Sequence, residues 1–126
     1  MLEVIGRHAD GWVSPLNIYT PPADVPRSQS IIDAAAVAAG RQPVEVRRLY
    51  NIVGSVGAQR GAQGLIGPVQ LWIETLAEWA TDLGFDTFVF WPQDASGQQV
   101  RVFAEDVVPG VLEEVNAMHS TTAGTF

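Results

Sequence analysis

The run Phe88-Val89-Phe90-Trp91, set between Thr87 and Pro92, limits the fold of this chain more than any other stretch. Bulky apolar residues in succession cannot alternate between a core and water, as a strand with one wet face must. Such a run reads as a strand of a buried parallel sheet, here Thr87 to Trp91, ended by Pro92. Two other segments have strand character. Gly11 to Leu16 forms a short first strand, and Val46 to Val53 a second, carrying Leu49, Tyr50, Asn51, Ile52 and Val53.

Helical patterns separate these strands. Met1 to Arg7 reads as the last turns of a helix, with Leu2 and Ile5 on one face and Gly6 near its end. A Pro-rich link (Pro21, Pro22, Pro26) leads to a helix from Ser28 to Ala39, capped by Ser28 or Ser30 and closed by Gly40. After the second strand comes a loop from Gly54 to Gly67 with glycines at 54, 57, 61, 64 and 67. Pro68 then opens a helix that runs to Leu83, with Val69, Trp72, Ile73, Leu76, Ala80 and Leu83 on one side and Gly84 at its end. A last helix, Gln98 to Val115, contains Pro109, which is expected to kink or divide it. The small, polar end of the chain reads as a disordered tail, giving one domain over 1–117 and a tail over 118–126. The order βαβαβα predicts an α/β fold with a parallel sheet and right-handed crossovers that put the helices on one side.

Composition narrows the function. Of the 126 residues, 47% are apolar and only 17% charged, an excess that suggests strands covered on both faces. The net charge is −7, and the basic residues are all Arg, with only Arg47 and Arg48 adjacent. Such a chain is a poor partner for nucleic acid or anionic membrane. No apolar run approaches the roughly 20 residues that span a bilayer, and there is no apolar signal core at the N-terminus. Cys is absent, which removes thiol chemistry and thiolate metal sites and fits a cytoplasmic location.

Four segments together carry a family resemblance: GRHADGW (Gly6 to Trp12), AAGRQPVEVR (Ala38 to Arg47), GPVQLWIETLAEWATDLGFDTFVFWP (Gly67 to Pro92) and FAEDVVPGVLEEV (Phe103 to Val115). In order and spacing they resemble the C-terminal part of the luciferase-like flavin-dependent monooxygenases, over about Leu2 to Val115. The resemblance implies a partial (β/α)8 TIM barrel, with the three strand–helix units standing for its last three. A full barrel takes about 250 residues, so this chain is expected to lack the first five strands. The resemblance further implies FMN or a deazaflavin coenzyme and a small organic substrate. The family's phosphate-holding segment is expected to fall before the position of Met1, so none of its residues carries over.

Single residues give weaker signals. Trp12 and Ser14 lie near the end of the first strand, the active-site end in a barrel. Trp12 reads as a core aromatic, while Ser14 serves equally as a turn residue or a pocket residue. Asn51, polar within an apolar strand, calls for a hydrogen-bond partner. The glycine-rich loop, leading towards a helix N-terminus, is the candidate anion site, with Gly54, Ser55 and Arg60 supplying amides, a hydroxyl and a cation. Its glycine spacing fits neither a P-loop nor a dinucleotide fingerprint, and a plain surface loop accounts for it as well. His8 and His119 are far apart and make no metal site. Trp72 and Trp79, seven apart on one helix, read as packing residues. No catalytic acid–base pair stands out.

The expected cofactor-binding residues are therefore Ser14, Gly54, Ser55 and Arg60, with no metal. The expected activity is flavin-dependent oxidation. The alternative is a truncated barrel remnant without catalysis, acting as an assembly or partner-binding module. In either case an incomplete barrel exposes sheet edges and its inner face, so self-association or a chain supplying the missing strands is expected.

Overall fold

A computed structural model describes residues 1–57, 63–93 and 97–124, the last six of these by backbone alone. Its elements are α1 (Leu2–His8), β1 (Gly11–Leu16), α2 (Val25–Ala38), β2 (Arg47–Val56), β3 (Leu65–Gly67), α3 (Val69–Asp82), β4 (Thr87–Pro92), α4 (Gln98–Val102) and α5 (Val108–Gly124). Short 3₁₀ turns at Pro22–Asp24 and Pro43–Glu45 precede α2 and β2. Every strand pairing is parallel. No helix among the described residues is long and apolar enough to cross a membrane.

The centre of the sheet is β2. Leu49 is level with Val13 of β1 on one side and Thr87 of β4 on the other. Further along, Gly54 is level with Leu65 of β3 and Pro92 of β4. A strand has only two edges, so β1 and β3 lie end to end along one edge of β2, and β4 takes the other. The three main strands thus stand in chain order, β1–β2–β4.

Side chains alternate across a strand, and burial follows that alternation on β2. Arg48, Tyr50, Ile52, Gly54 and Val56 are buried, while Arg47, Leu49, Asn51 and Val53 are less so. The buried face carries the helices. Two aromatic clusters lie on it. Near the strand starts, Phe85 stacks on Tyr50 at 4.4 Å and on Trp12 at 6.1 Å, and Trp79 of α3 meets Tyr50 at 5.2 Å. Near the strand ends, Trp72 of α3 meets Phe90 edge-on at 5.3 Å, and Phe90 stacks on Phe103 at 4.7 Å. Trp72 and Trp79 are therefore packing residues, as their spacing predicts. The opposite face is not covered by the described helices, and Val13 and Trp91 there are 63% and 54% exposed. The apolar composition predicts strands buried on both faces, but the described residues cover only one.

Several boundaries move for local reasons. The helix α2 starts at Val25, three residues before Ser28, with Pro26 inside its first turn. The first-turn N–H groups have no intrahelical acceptor, so proline costs nothing there. Gly6 is buried, and a Cβ on it would lie 2.5 Å from Ile32 O and 2.7 Å from Ala35 Cβ. Its role is to let α1 lie against α2. Pro109 divides the last helix as expected. A π turn over Phe103–Val107 sits just before it, widening the coil where the ring would strike the preceding turn. α5 then continues to Gly124, through most of the segment whose composition reads as a disordered tail.

The segment read as a loop from Gly54 to Gly67 needs correction. β2 extends through Val56, and β3 occupies Leu65–Gly67. Gly54 is a strand residue pressed by its neighbours, for a Cβ there would lie 2.1 Å from Leu65 O and 2.8 Å from Trp72 Cζ2. Glycine is needed for close packing, not for flexibility. Gly54→Ala is expected to cost about 3 kcal/mol of unfolding free energy, the upper range for overpacking, as read by urea denaturation. A loss near zero would show that β3 and Trp72 do not close on Gly54.

Candidate functional site

In a parallel α/β sheet the carboxyl ends of the strands are where ligands gather. At that end the two edges of β2 outrun their neighbours. β1 shifts register between Val13 and Leu16, around Pro15, which has no N–H to give. The side chain of Asn17 replaces the missing backbone. Its Oδ1 accepts from Val53 N–H at 2.8 Å, and its Nδ2 donates to Val53 O at 3.2 Å. On the other edge β4 ends at Pro92, and Gln99 of α4 does the same work. Its Oε1 accepts from Val56 N–H at 2.8 Å and its Nε2 donates to Val56 O at 3.0 Å. Gln93 closes a similar pair with Gln63, at 3.0 and 2.8 Å. These carboxamides act as one-residue strands and hold the strand ends in place.

The uncovered face carries Val13, Leu49, Asn51, Val53, Val89 and Trp91, by alternation along β1, β2 and β4. Trp91 Nε1–H donates to Asn51 Oδ1 at 2.9 Å, and Asn51 Nδ2 donates to Ser14 O at 2.7 Å. This chain of bonds crosses all three main strands. It answers the demand that Asn51 makes for a partner, and it fixes an indole ring that is still more than half exposed.

The candidate cofactor residues do not converge. Ser14 is buried on the helix side of β1, where its Oγ donates to Pro15 O at 3.2 Å. Gly54 and Ser55 lie farther along the sheet on β2. At about 3.3 Å per residue, Ser55 stands roughly 15 Å beyond Ser14. Arg60 lies outside the described residues. The glycine-rich stretch does not run straight into a helix N-terminus, because β3 and Pro68 stand between it and α3. Ser55 remains distinctive. Its carbonyl accepts from Trp72 Nε1–H at 3.0 Å, while its Oγ is fully buried without a hydrogen-bond partner among the described residues. An unpaired buried hydroxyl costs free energy, which a polar ligand or water atom would relieve.

No family model matches this chain, and neither does any curated protein.

The remaining polar groups are structural. Arg48 is buried, and its guanidinium donates to the Val46 and Pro43 carbonyls, to Gln29 Oε1 and, at 2.7 Å, to Asp33 Oδ1. Its backbone N–H donates to Asp86 Oδ2 at 2.8 Å. The group ties α2 to β2 at the amino end of the sheet, beside a cavity of about 310 Å³. Arg41 donates to Gly6 O and Ala9 O at 2.8 Å each, meeting carbonyls that the end of α1 leaves free. Tyr50 donates to Thr20 O at 2.6 Å. Burial, with a smaller push from the Asp24 carboxylate, raises its phenol to about 12, so it stays a protonated donor at neutral pH. Among the described residues no cluster of His, Cys, Asp or Glu is placed to hold a metal. Among the described residues neither Ser14 nor Ser55 bonds to a histidine or carboxylate.

Sequence reasoning misses Asn17, Gln93, Gln99 and the Arg48 cluster. No local signal marks them, since the backbone partners of Asn17 and Gln99 lie 36 and 43 residues away. Asn17→Leu is expected to leave both Val53 groups unpaired in a buried setting and to cost about 3 kcal/mol, measured by thermal or urea unfolding. A variant as stable as the native chain would show that water replaces the carboxamide and that Asn17 is not part of the sheet.

Proposed function

We propose that this chain is the wall of a luciferase-like (β/α)8 barrel, its three main strands corresponding to the last three. On this reading it serves a flavin-dependent oxidoreductase that oxidises a small organic substrate. FMN or a deazaflavin supplies the redox chemistry, and the protein positions it. The observation that carries the reading is the arrangement of the sheet. Parallel strands stand in chain order with helices on one face and, beyond Arg47 at the start of β2, uncharged side chains on the other, which is how a barrel wall presents its outside and its inside.

The fit to a flavin is partial. Ser55 offers an unpaired hydroxyl at the carboxyl end of β2, and Trp91 offers a fixed, exposed ring on the inner face. Both suit a polar, planar ligand. Ser14 fits poorly, because its hydroxyl is turned to the helices, and Gly54 fits poorly, because it is packed under β3 and Trp72. The residues would bind and orient the ring. None is placed to move a proton for the reaction.

A second reading rests on the uncovered face itself. A chain that exposes Val13 and Trp91 on one side of its sheet is suited to assembly, with or without catalysis. Titration with FMN and with a deazaflavin, followed by ring fluorescence, separates the two. The barrel reading predicts saturable but weak binding, because three strands leave the pocket open and ligand affinity needs enclosure. It also predicts that Ser55→Ala weakens that binding. Absence of any saturable signal with either coenzyme would leave the assembly reading. Submicromolar affinity would contradict the incomplete pocket.

A further inference from the structure

We propose that Gln63 and Gln93 form a clasp over the carboxyl end of β2, and that a ligand reaches the Ser55 hydroxyl only when this clasp opens. The inference rests on reading Ser55 as a ligand contact, but not on the ligand being a flavin.

Ser55 is where the open face of the sheet ends. Leu49, Asn51 and Val53, in phase with it along β2, are only partly buried, whereas Ser55 is 1% exposed. Register brings two segments to this point. Pro92 is level with Gly54, so Gln93 leaves β4 beside Ser55. On the other edge Leu65 is level with Gly54, so Gly64 and Gln63 come in beside Val53 and Ile52. A Cβ on Gly64 would lie 3.0 Å from Val53 Cγ1, so this segment rides against the open face.

β3 and β4 flank β2 on opposite edges, about 10 Å apart at the ordinary strand spacing. Gln93 nevertheless bonds Gln63. Its Oε1 accepts from Gln63 N–H at 3.0 Å, and its Nε2 donates to Gln63 O at 2.8 Å. Such a bridge has to pass over β2. Trp72 packs on Gly54 from the helix side, which leaves the open face for the crossing. Trp91 lies on that face, and Gln93 follows it at the two-residue period of the strand.

Two features make the clasp reversible. Both of its bonds are exposed, so water competes for them. Beneath it, Ser55 Oγ is buried without a hydrogen-bond partner among the described residues. The closed state therefore carries an unpaired hydroxyl. Opening lets water, or an acceptor atom of a ligand, take its proton in a hydrogen bond. Closure and pairing of Ser55 thus oppose one another, and the two exposed bonds of Gln93 set the balance.

The chain has no cysteine, so Ser55→Cys places a single thiol at this point. Its rate of reaction with dithionitrobenzoate reads access without any ligand. The Ser55→Cys chain is expected to label far more slowly when folded than when denatured in urea. Adding Gln93→Ala, which removes both clasp bonds, is expected to raise the folded rate about tenfold, the effect of two exposed hydrogen bonds on an opening equilibrium. The urea unfolding midpoint is expected to hold. Folded Ser55→Cys that labels as fast as the denatured chain overturns the proposal, as does a rate that Gln93→Ala leaves unchanged. A faster rate matched by an equal loss of global stability also overturns it, since labelling would then run through unfolding. Should Ser55→Cys not fold, hydrogen exchange at the Gln63 amide decides. Protection in the native chain that is lost in Gln93→Ala supports the clasp, and equal exchange in the two refutes it. A chain that binds no FMN and yet shows gated labelling would lose the flavin reading and keep the clasp.

Discussion

Every other element of this chain is arranged around the need to satisfy both edges of β2. Its ten residues run through the middle of the sheet, and six of them are buried. A buried N–H or C=O without a partner costs as much as a lost hydrogen bond. One edge is met in turn by Asp10 O at Arg47, by β1, by the Asn17 carboxamide at Val53 and by β3 from Gly54 onward. The other is met by Asp86, by β4 and by the Gln99 carboxamide at Val56. The turns around the sheet follow from this. Asn17 has to lie just past Pro15, and α4 has to begin close enough to β2 for Gln99 to reach it.

The same strand divides the molecule into two unlike faces. Tyr50 and Ile52 sit under the helices with two aromatic clusters, and Arg48 anchors α2 at the amino end through bonds to Gln29 and Asp33. Asn51 and Val53, one residue out of phase, look the other way and share their surface with Val89 and the pinned ring of Trp91. A parallel sheet is stable when both faces are covered. One layer of helices therefore covers half of what such a sheet needs, and the second face is left uncovered by the described residues.

Much of this is legible in the sequence. The apolar run at Phe88 to Trp91, the helical spacing of Trp72, Leu76 and Trp79, and the glycines and prolines that end each element place the three main strands within a few residues. The burial of Trp12 and the need of Asn51 for a partner are readable for the same reason, since they follow from residue type and position along one element. What depends on distant segments meeting is not readable. Gly54 looks like a loop glycine until Trp72 and β3 are seen against it. Asn17 and Gln99 look like surface amides until Val53 and Val56 are seen to lack neighbours. Composition alone also misleads about coverage, because a strand rich in apolar residues looks the same whether its second face meets helices or is left open.

The contrast between the faces rests on the four tryptophans. Trp12, Trp72 and Trp79 are 5%, 0% and 8% exposed, and Trp91 is 54% exposed. Acrylamide quenching of tryptophan fluorescence at low protein concentration reads this difference directly. The account predicts two populations, one shielded and one accessible with red-shifted emission, and predicts that Trp91→Phe removes the accessible one. An accessible population that persists in Trp91→Phe, or uniform shielding of all four rings in the native chain, would contradict a sheet covered on one face and open on the other.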